Sequence, residues 1–395
     1  MVVQQKGEAM TIIVSGGGTG GHITPILAVA SKLKKLDPNC RIIYVGEKKG
    51  KFLDMVEGNK TIDEIRTIYA GKFRRYHKEN WFNRIIDFRT IALNIRDMFF
   101  MLIGICQAIK IVRELQPNVV FLKGGFVGVP VGLASALCKV PFVTHDSDAI
   151  PGLANRMVSR WASVHATAMP AEYYSYPRES TRYIGVLVGD DYRLVTKELK
   201  DSYRQELKIP VKSLVLLVTG GSIGAQRINS EMMKIIPRLL LDYPNLYIIH
   251  QVGKGNLKIY RNIEKNNRIV PIEFMSSMYQ YTGSADVVIT RAGANTLAEL
   301  GIQSKACVVV PNPDLTGGHQ LVNADYLLQN HSVKVVQESE FEHPTKGLNT
   351  TVRQLLDYDN IREVLGKELR SLTKKKAAQE LAKIIINTAK DNDAI

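Results

Sequence analysis

The sequence predicts an α/β protein built of two Rossmann-like domains, each a doubly wound parallel sheet, facing each other across a cleft. Three observations carry that prediction. Short apolar, β-branched runs alternate with helical patterns along most of the chain, the grammar of a parallel sheet with crossover helices. Twice, at residues 11–15 and 214–218, such a run passes into a glycine-rich turn and then into a helix. The length of 395 residues holds about two domains of ordinary size.

In the N-terminal half, strand 11–15 meets GGGTGGH at 16–22, and Pro25 is placed in the first turn of a helix over 26–36, where a proline costs no hydrogen bond. A second strand, 41–45, ends at Gly46 and Glu47. Strand 119–122 runs into GGFVGVP at 124–130 and a helix over 132–138, and strand 141–144 ends at His145, Asp146, Ser147 and Asp148. Residues 184–188 read as the last strand of this half. The pattern then restarts: strand 214–218, GGSIG at 220–224, helix 225–241, and strands at 246–251, 268–270, 287–290, 307–310 and 333–336. A basic helix over 372–386 opens with Lys374, Lys375 and Lys376. The expected division is 10–188, 189–371, and a C-terminal helix over 372–395 that returns to the first domain.

A formal charge of +14 and a pI near 9.4 call for an anionic partner: nucleic acid, an acidic membrane or a phosphorylated substrate. Residues 1–10 carry no apolar signal core, and the greasiest run, 98–105, falls short of the ~20 residues a bilayer requires, so a cytoplasmic protein with at most peripheral membrane contact is expected. Cys40, Cys106, Cys138 and Cys307 are scattered without paired spacing and read as free buried thiols of a reducing compartment.

The chemistry concentrates in the turns. In DVVITRAGANTLAE at 286–299, a strand breaks at Gly293 and a helix begins near Ala294, so unpaired N–H groups face an anion while Thr296 offers a hydroxyl and Glu299 a carboxylate to sugar hydroxyls. Alone this is an ordinary β–α corner. With the glycine loop 220–224 it supplies two anion-binding helix ends in one domain. The loop 16–21 satisfies G-x-G-x-x-G with Glu47 as a ribose acid, which keeps an NAD(P) oxidoreductase in view. His22 at the helix start suits a general base, or simply caps the helix. Asp146 and Asp148 form a D-x-D pair of the kind that binds magnesium or manganese, although nearby acids at a strand end are common. From 72 to 89, Phe73, Trp81, Phe82 and Ile85 are interleaved with cations including Arg75 and Arg89; aromatic rings and basic groups together suit an anionic membrane surface, with a basic-faced core helix or a nucleic-acid contact as the rivals.

Four motifs, GGGTGGH at 16–22, GGFVGVP at 124–130, GGSIGAQ at 220–226 and RAGANTLAE at 291–299, occur in the order found in the MurG family of N-acetylglucosaminyltransferases, and the chain resembles that family from residue 11 to 326. The resemblance implies a GT-B fold and an inverting transfer of N-acetylglucosamine from UDP-N-acetylglucosamine to the 4-hydroxyl of a lipid-linked muramoyl pentapeptide, at the cytoplasmic face of the plasma membrane. It implies no required cofactor, with magnesium unneeded as a bound metal, and no nucleic acid. It leaves the oligomeric state open. By motif position, Ser222 resembles the donor-phosphate or uridine contact and Met275 the residue whose backbone meets uracil. Ala294, Asn295, Thr296, Leu297 and Ala298 resemble the phosphate-binding helix start, and Glu299 the ribose acceptor. His319 and Gln320 stand where the family reads sugar hydroxyls with two glutamines, and Thr19, Gly20 and Gly21 resemble the loop of the N-terminal side. His22 is the first choice of base, Asp146 or Asp148 the substitutes. The chain departs from the family pattern at Asp148, which replaces an amide, and at Gly189, which falls where an arginine is usual and offers only backbone. A related nucleotide-sugar enzyme with another acceptor is the alternative.

Overall fold

The computed structural model describes residues 9–18, 20–50, 53–72, 88–221, 224–261, 266–314 and 317–393. The chain forms two compact units, one of Met1–Gly189 with Lys375–Ile395, the other of Asp190–Lys374.

In the first unit the strands are β1 (Thr11–Gly16), β2 (Arg41–Glu47), β3 (Glu64–Ile68), β4 (Val119–Gly124), β5 (Phe142–Asp146), β6 (Val164–Thr167) and β7 (Thr181–Tyr183). They pair in parallel in the order β3-β2-β1-β4-β5-β6-β7. The helices are α1 (Gly20–Leu36), α2 (Phe88–Leu115), α3 (Gly128–Leu137) and α4 (Leu153–Val158). The period of two along β1 divides the core: Ile12 and Val14 join one apolar layer, Ile13 the layer on the opposite face.

Strand order reverses between β1 and β4, which brings the loops after those strands side by side at a topological switch point. Gly125, at φ +79°, approaches so closely that a Cβ there would lie 2.2 Å from the Gly17 carbonyl oxygen. The β1–β4 register skips a residue: Ser15 pairs with Leu122 and Gly16 with Gly124, leaving Lys123 as the extra residue of a bulge that re-aims its side chain.

The second unit repeats the plan. Strands β8 (Leu214–Thr219), β9 (Leu246–Gln251), β10 (Ile269–Ile272), β11 (Val287–Thr290), β12 (Ala306–Val309) and β13 (Lys334–Val335) lie parallel in the order β10-β9-β8-β11-β12-β13, so the reversal falls between β8 and β11. Its helices are α5 (Lys197–Glu206), α6 (Gln226–Asp242), α7 (Met278–Ser284), α8 (Ala294–Ile302), α9 (His319–Gln329), α10 (Leu348–Asp357) and α11 (Asp359–Leu372). Asp286 pins the start of β11: its Oδ2 accepts from Arg204 Nη2 and from the Val215 N–H, each at 2.7 Å. The last helix, α12 (Ala377–Asp393), packs in the first unit beside α1, with Leu381 and Ile385 wholly buried there.

Several sequence expectations are corrected. Helix α1 begins at Gly20, so Pro25 lies in its second turn and removes the bond its N–H would have made to the Gly21 carbonyl. Residues 184–188 form no strand. The N–H groups of Ile184 and Gly185 both donate to the Thr167 carbonyl, at 3.0 and 3.1 Å, and Gly185 turns at φ +93°, so the chain leaves the sheet after Tyr183. Cys40 and Cys307 are buried free thiols, but Cys106 is exposed on α2.

Candidate functional site

In the second unit, three of the helices that begin without a side-chain cap share one end of the sheet. α6 follows Ala225, α8 follows Gly293, and α9 follows Gly318, which is left-handed at φ 66°. Each therefore leaves N–H groups for a ligand and presents the positive end of its dipole. All three ends meet one pocket of about 500 Å³ at the carboxyl ends of the strands. Its lining includes Gly220, Gly221, Gly224, Thr290, Gly293, Thr296, Asn312 and Gln320. The glycine turn is held from below: the Gly221 N–H donates to Thr219 Oγ1 at 3.1 Å, and that hydroxyl donates to Gln251 Oε1 at 2.6 Å. A Cβ on Gly220 would lie 2.2 Å from the Ala225 nitrogen, so only glycine permits this approach of loop to helix.

Cations border the pocket. Arg291 pairs with Glu338 at 2.6 Å, Arg227 pairs with the other Glu338 oxygen at 3.1 Å, and Arg291 also donates to the Val310 carbonyl at 3.2 Å. Gln320 is buried, its Oε1 accepting the Asn312 N–H at 2.9 Å, which leaves its amide for a ligand. Thr296 lines the pocket, while Leu297 and Ala298 point their side chains into the core and contribute backbone only. Met275 is buried in the same core, and the neighbouring Phe274 is exposed. His319 is the first residue of α9 and Asn295 lies in the first turn of α8. Ser222 lies outside the described residues.

Glu299 lies on α8, and burial pushes its carboxyl up to about 7, against the influence of the Tyr192 phenol, which pulls it down.

In the first unit the adjacent loops after β1 and β4 gather His22, Lys123 and the end of β5. Gly20, Gly21 and His22 form the first turn of α1; Thr19 lies outside the described residues. His22 is partly exposed, yet protein packed around the ring, with Lys123 as the second cause, lowers it to about 4. Lys123 is buried, and desolvation brings its ammonium down to about 8, opposed by the charges of Asp146 and Asp148. Asp146 has both oxygens engaged: Oδ1 accepts the Gly152 N–H at 2.9 Å, Oδ2 the Tyr176 hydroxyl at 2.8 Å. His145 is buried with Nε2 on the Gly185 carbonyl at 3.0 Å. Asp148 is half-buried, its carbonyl accepting the Tyr174 hydroxyl at 2.8 Å. Gly189 ends the unit with open space where a Cβ would be. Among the described residues no group of three His, Cys, Asp or Glu is placed to hold a metal ion.

Of the basic–aromatic stretch, Phe73, Arg75, Trp81, Phe82 and Ile85 lie outside the described residues, and Arg89 is in the first turn of α2. The described part of α2 adds a feature that sequence reading missed. Ile95, Met98, Phe99, Leu102 and Ile103 form an exposed stripe, each 45% exposed or more, while Met101, Ala108 and Val112 pack inward. The signal was present as apolar residues on both faces of one helix, more than a one-sided core contact uses. No helix among the described residues is long and apolar enough to cross a membrane.

Sequence reading also missed Glu338, Arg227 and Asn312 at the pocket, Lys123, and Tyr192. None sits in a glycine loop or shows a local pattern.

Comparison with known proteins bears on both units. The glycosyltransferase family 28 N-terminal domain matches residues 12–167, and the family 28 C-terminal domain matches residues 215–383. A Clostridium perfringens protein named UDP-N-acetylglucosamine--N-acetylmuramyl-(pentapeptide) pyrophosphoryl-undecaprenol N-acetylglucosamine transferase is 34% identical over 337 residues, 83% of this chain and 86% of its own length. A Clostridium kluyveri protein of the same name is 35% identical over 335 residues, 83% and 87% of the two chains. Among solved structures, Acinetobacter baumannii MurG superposes with a TM-score of 0.68 at 23% identity, covering 96% of this chain and 99% of that one.

Proposed function

The chain belongs to glycosyltransferase family 28, and from that membership we infer the reaction its residues support. It is a UDP-N-acetylglucosamine-dependent transferase that moves N-acetylglucosamine to the 4-hydroxyl of a diphosphate-linked muramoyl pentapeptide, inverting the anomeric carbon. The reading of the NAD(P) oxidoreductase is not favoured, because both halves match glycosyltransferase domains. The observation that carries the donor side is the convergence of three uncapped helix ends on one pocket.

Bond cleavage between the anomeric carbon and the diphosphate leaves negative charge on the departing UDP. The N–H groups at the start of α8, with the Thr296 hydroxyl and the backbone of Gly220, Gly221 and Gly224, answer that charge with dipoles already in place, so no reorganisation accompanies the step. Glu299 accepts from the ribose hydroxyls, and His319 and Gln320 read the sugar. The Met275 backbone meets uracil. These donor roles are proposals from motif position and placement.

For the acceptor we assign the proton to His22. Its ring is neutral at pH 7, whereas Asp146 already accepts two hydrogen bonds. A base of such low proton affinity takes the proton late, once the new C–O bond is largely formed. Asp148 and Gly189 stand as further acceptor-side contacts.

We place the stripe on α2 against an anionic membrane surface, where the lipid tail of the acceptor is held. Apolar side chains enter the headgroup level while the excess positive charge of the chain is drawn to the surface.

The test is direct: incubate the chain with radiolabelled UDP-N-acetylglucosamine and lipid I and count label in the lipid product. Label in lipid is the expected result; label released only as free sugar, or kept on UDP, overturns the assignment. Dialysis against chelator is expected to leave the rate intact. A loss that magnesium restores would move the charge on the diphosphate from the helix ends to a metal.

A further inference from the structure

We infer that Arg227 is a ligand of the UDP diphosphate and that Glu338 is its positioning residue, one carboxylate holding Arg227 and Arg291 together beside the uncapped start of α6. The inference rests on the reading of this pocket as the donor site.

Arg227 is the second residue of α6, so its charge stands at the positive end of the helix dipole. A cation is disfavoured there, and the first turn of α6 carries no acid to offset it. The offset comes from across the pocket, where Glu338 Oε2 lies 3.1 Å from Arg227 Nη1. Glu338 is the fixed member of the pair. Its side chain is 5% exposed, against 67% for Arg227. The chain just before it is pinned, because the Val336 N–H donates to the Val309 carbonyl at 3.0 Å and the Gln337 N–H to Glu340 Oε2 at 3.3 Å. Its second oxygen meets Arg291 Nη2 at 2.6 Å, and Arg291 Nη1 donates to the Val310 and Pro311 carbonyls at 3.2 and 3.4 Å. Arg227 is therefore the movable end of a brace whose other parts are held.

Two guanidinium groups on one carboxylate leave one net positive charge at the pocket. A guanidinium has five N–H donors, so pairing with one carboxylate oxygen leaves others for a phosphate, which it fits in bidentate fashion. Glu338 keeps the long Arg227 side chain near its working position before the nucleotide arrives, so less binding energy is lost to ordering it. A nucleoside without phosphate gains nothing from this arrangement, and that difference makes the inference testable.

The test is calorimetry with UDP and with uridine. In Arg227→Gln the Kd for UDP is expected to rise about 5–30-fold, as for loss of a charge-assisted hydrogen bond, while the Kd for uridine stays at the parent value. Arg227→Lys should recover part of the loss. Glu338→Gln should raise the Kd for UDP about 3–10-fold, and by less in the Arg227→Gln background, because the two act through one contact. An unchanged Kd for UDP in Arg227→Gln, or an equal rise for uridine, overturns the diphosphate role. Tighter UDP binding in Glu338→Gln, or an equal effect in both backgrounds, overturns the positioning role. Arg227 is exposed, so its variants keep the test open if Glu338→Gln fails to fold. Thr296→Val separates the two readings. If it weakens UDP binding and Arg227→Gln does not, the donor reading stands and the inference falls. If neither weakens it, both fall.

Discussion

At the scale of single residues, the two titratable groups of interest are shifted in opposite directions by the same cause. Burial penalises charge, so the Glu299 acid is raised to about 7 while the His22 ring is lowered to about 4. The signs give separable pH dependences. Donor binding needs the Glu299 carboxylate, so the donor KM is expected to rise as pH falls through about 7. Between its ordinary carboxylate value and 7 the folded protein holds a proton that the unfolded chain has released, so this group weakens folding as pH rises through that window. A ribose diol offsets that penalty, and UDP binding at pH 6.5 should release protons, seen as a buffer-dependent heat. With donor saturating, kcat should persist to near pH 5, because His22 stays neutral there. His22→Ala should lower kcat by about 10²–10⁴-fold with UDP affinity retained in calorimetry. Glu299→Ala should raise the donor KM by about 10–100-fold. Normal turnover in the first variant removes His22 as base; an unchanged KM in the second removes Glu299 from the donor site.

At the scale of elements, two loops and one helix matter most. The loops after β1 and β4 touch through glycine, and Gly125→Ala places a methyl against the Gly17 carbonyl at a left-handed φ. The expected cost is on the order of 2–4 kcal/mol, read as a lower denaturation midpoint. A variant as stable as the parent would show that the loops separate freely. Helix α2 presents a different case. Phe99 and Leu102 are 55% and 54% exposed, so Phe99→Ser with Leu102→Ser should leave the fold intact. Sedimentation with anionic vesicles should fall. Unchanged sedimentation would place the membrane face elsewhere, with residues 73–85 the next segment to substitute.

At the scale of the molecule, the first unit is closed by the end of the chain. Helix α12 places Ala377, Leu381, Ala382, Ile385 and Ala389 at 1% exposure or less in the core that includes Ile26, Val29 and Leu33 of α1. Leu381 and Ile385 alone represent about 3–6 kcal/mol of burial, a large part of a typical domain's stability of about 5–15 kcal/mol. Removal of residues 375–395 should therefore unfold the first unit, detected as rapid proteolysis within residues 9–189. Survival of that unit in limited proteolysis would mean that α12 is dispensable.

The sequence by itself determined the alternation of apolar strand, glycine turn and helix, and with it two parallel α/β sheets and the helix ends near Gln226 and Ala294, whereas the helix that opens at His319 came only from the structure. Strand period, β-branching and glycine content act over a few residues, so they are legible without a partner in space. It missed β3 and β6, whose runs Glu64–Ile68 and Val164–Thr167 mix polar and apolar residues and become strands only by pairing with β2 and β5. It read Pro25 as the start of a helix that begins at Gly20, because nothing local to Gly20 and Gly21 favours a helix. Only the tertiary structure decided that Glu338 links Arg291 to Arg227, that Lys123 is turned inward by a bulge, and that Tyr192 meets Tyr279 edge-on. Those contacts join segments far apart in the chain, and what selects them is the burial of whole sheets, which no short stretch of sequence specifies.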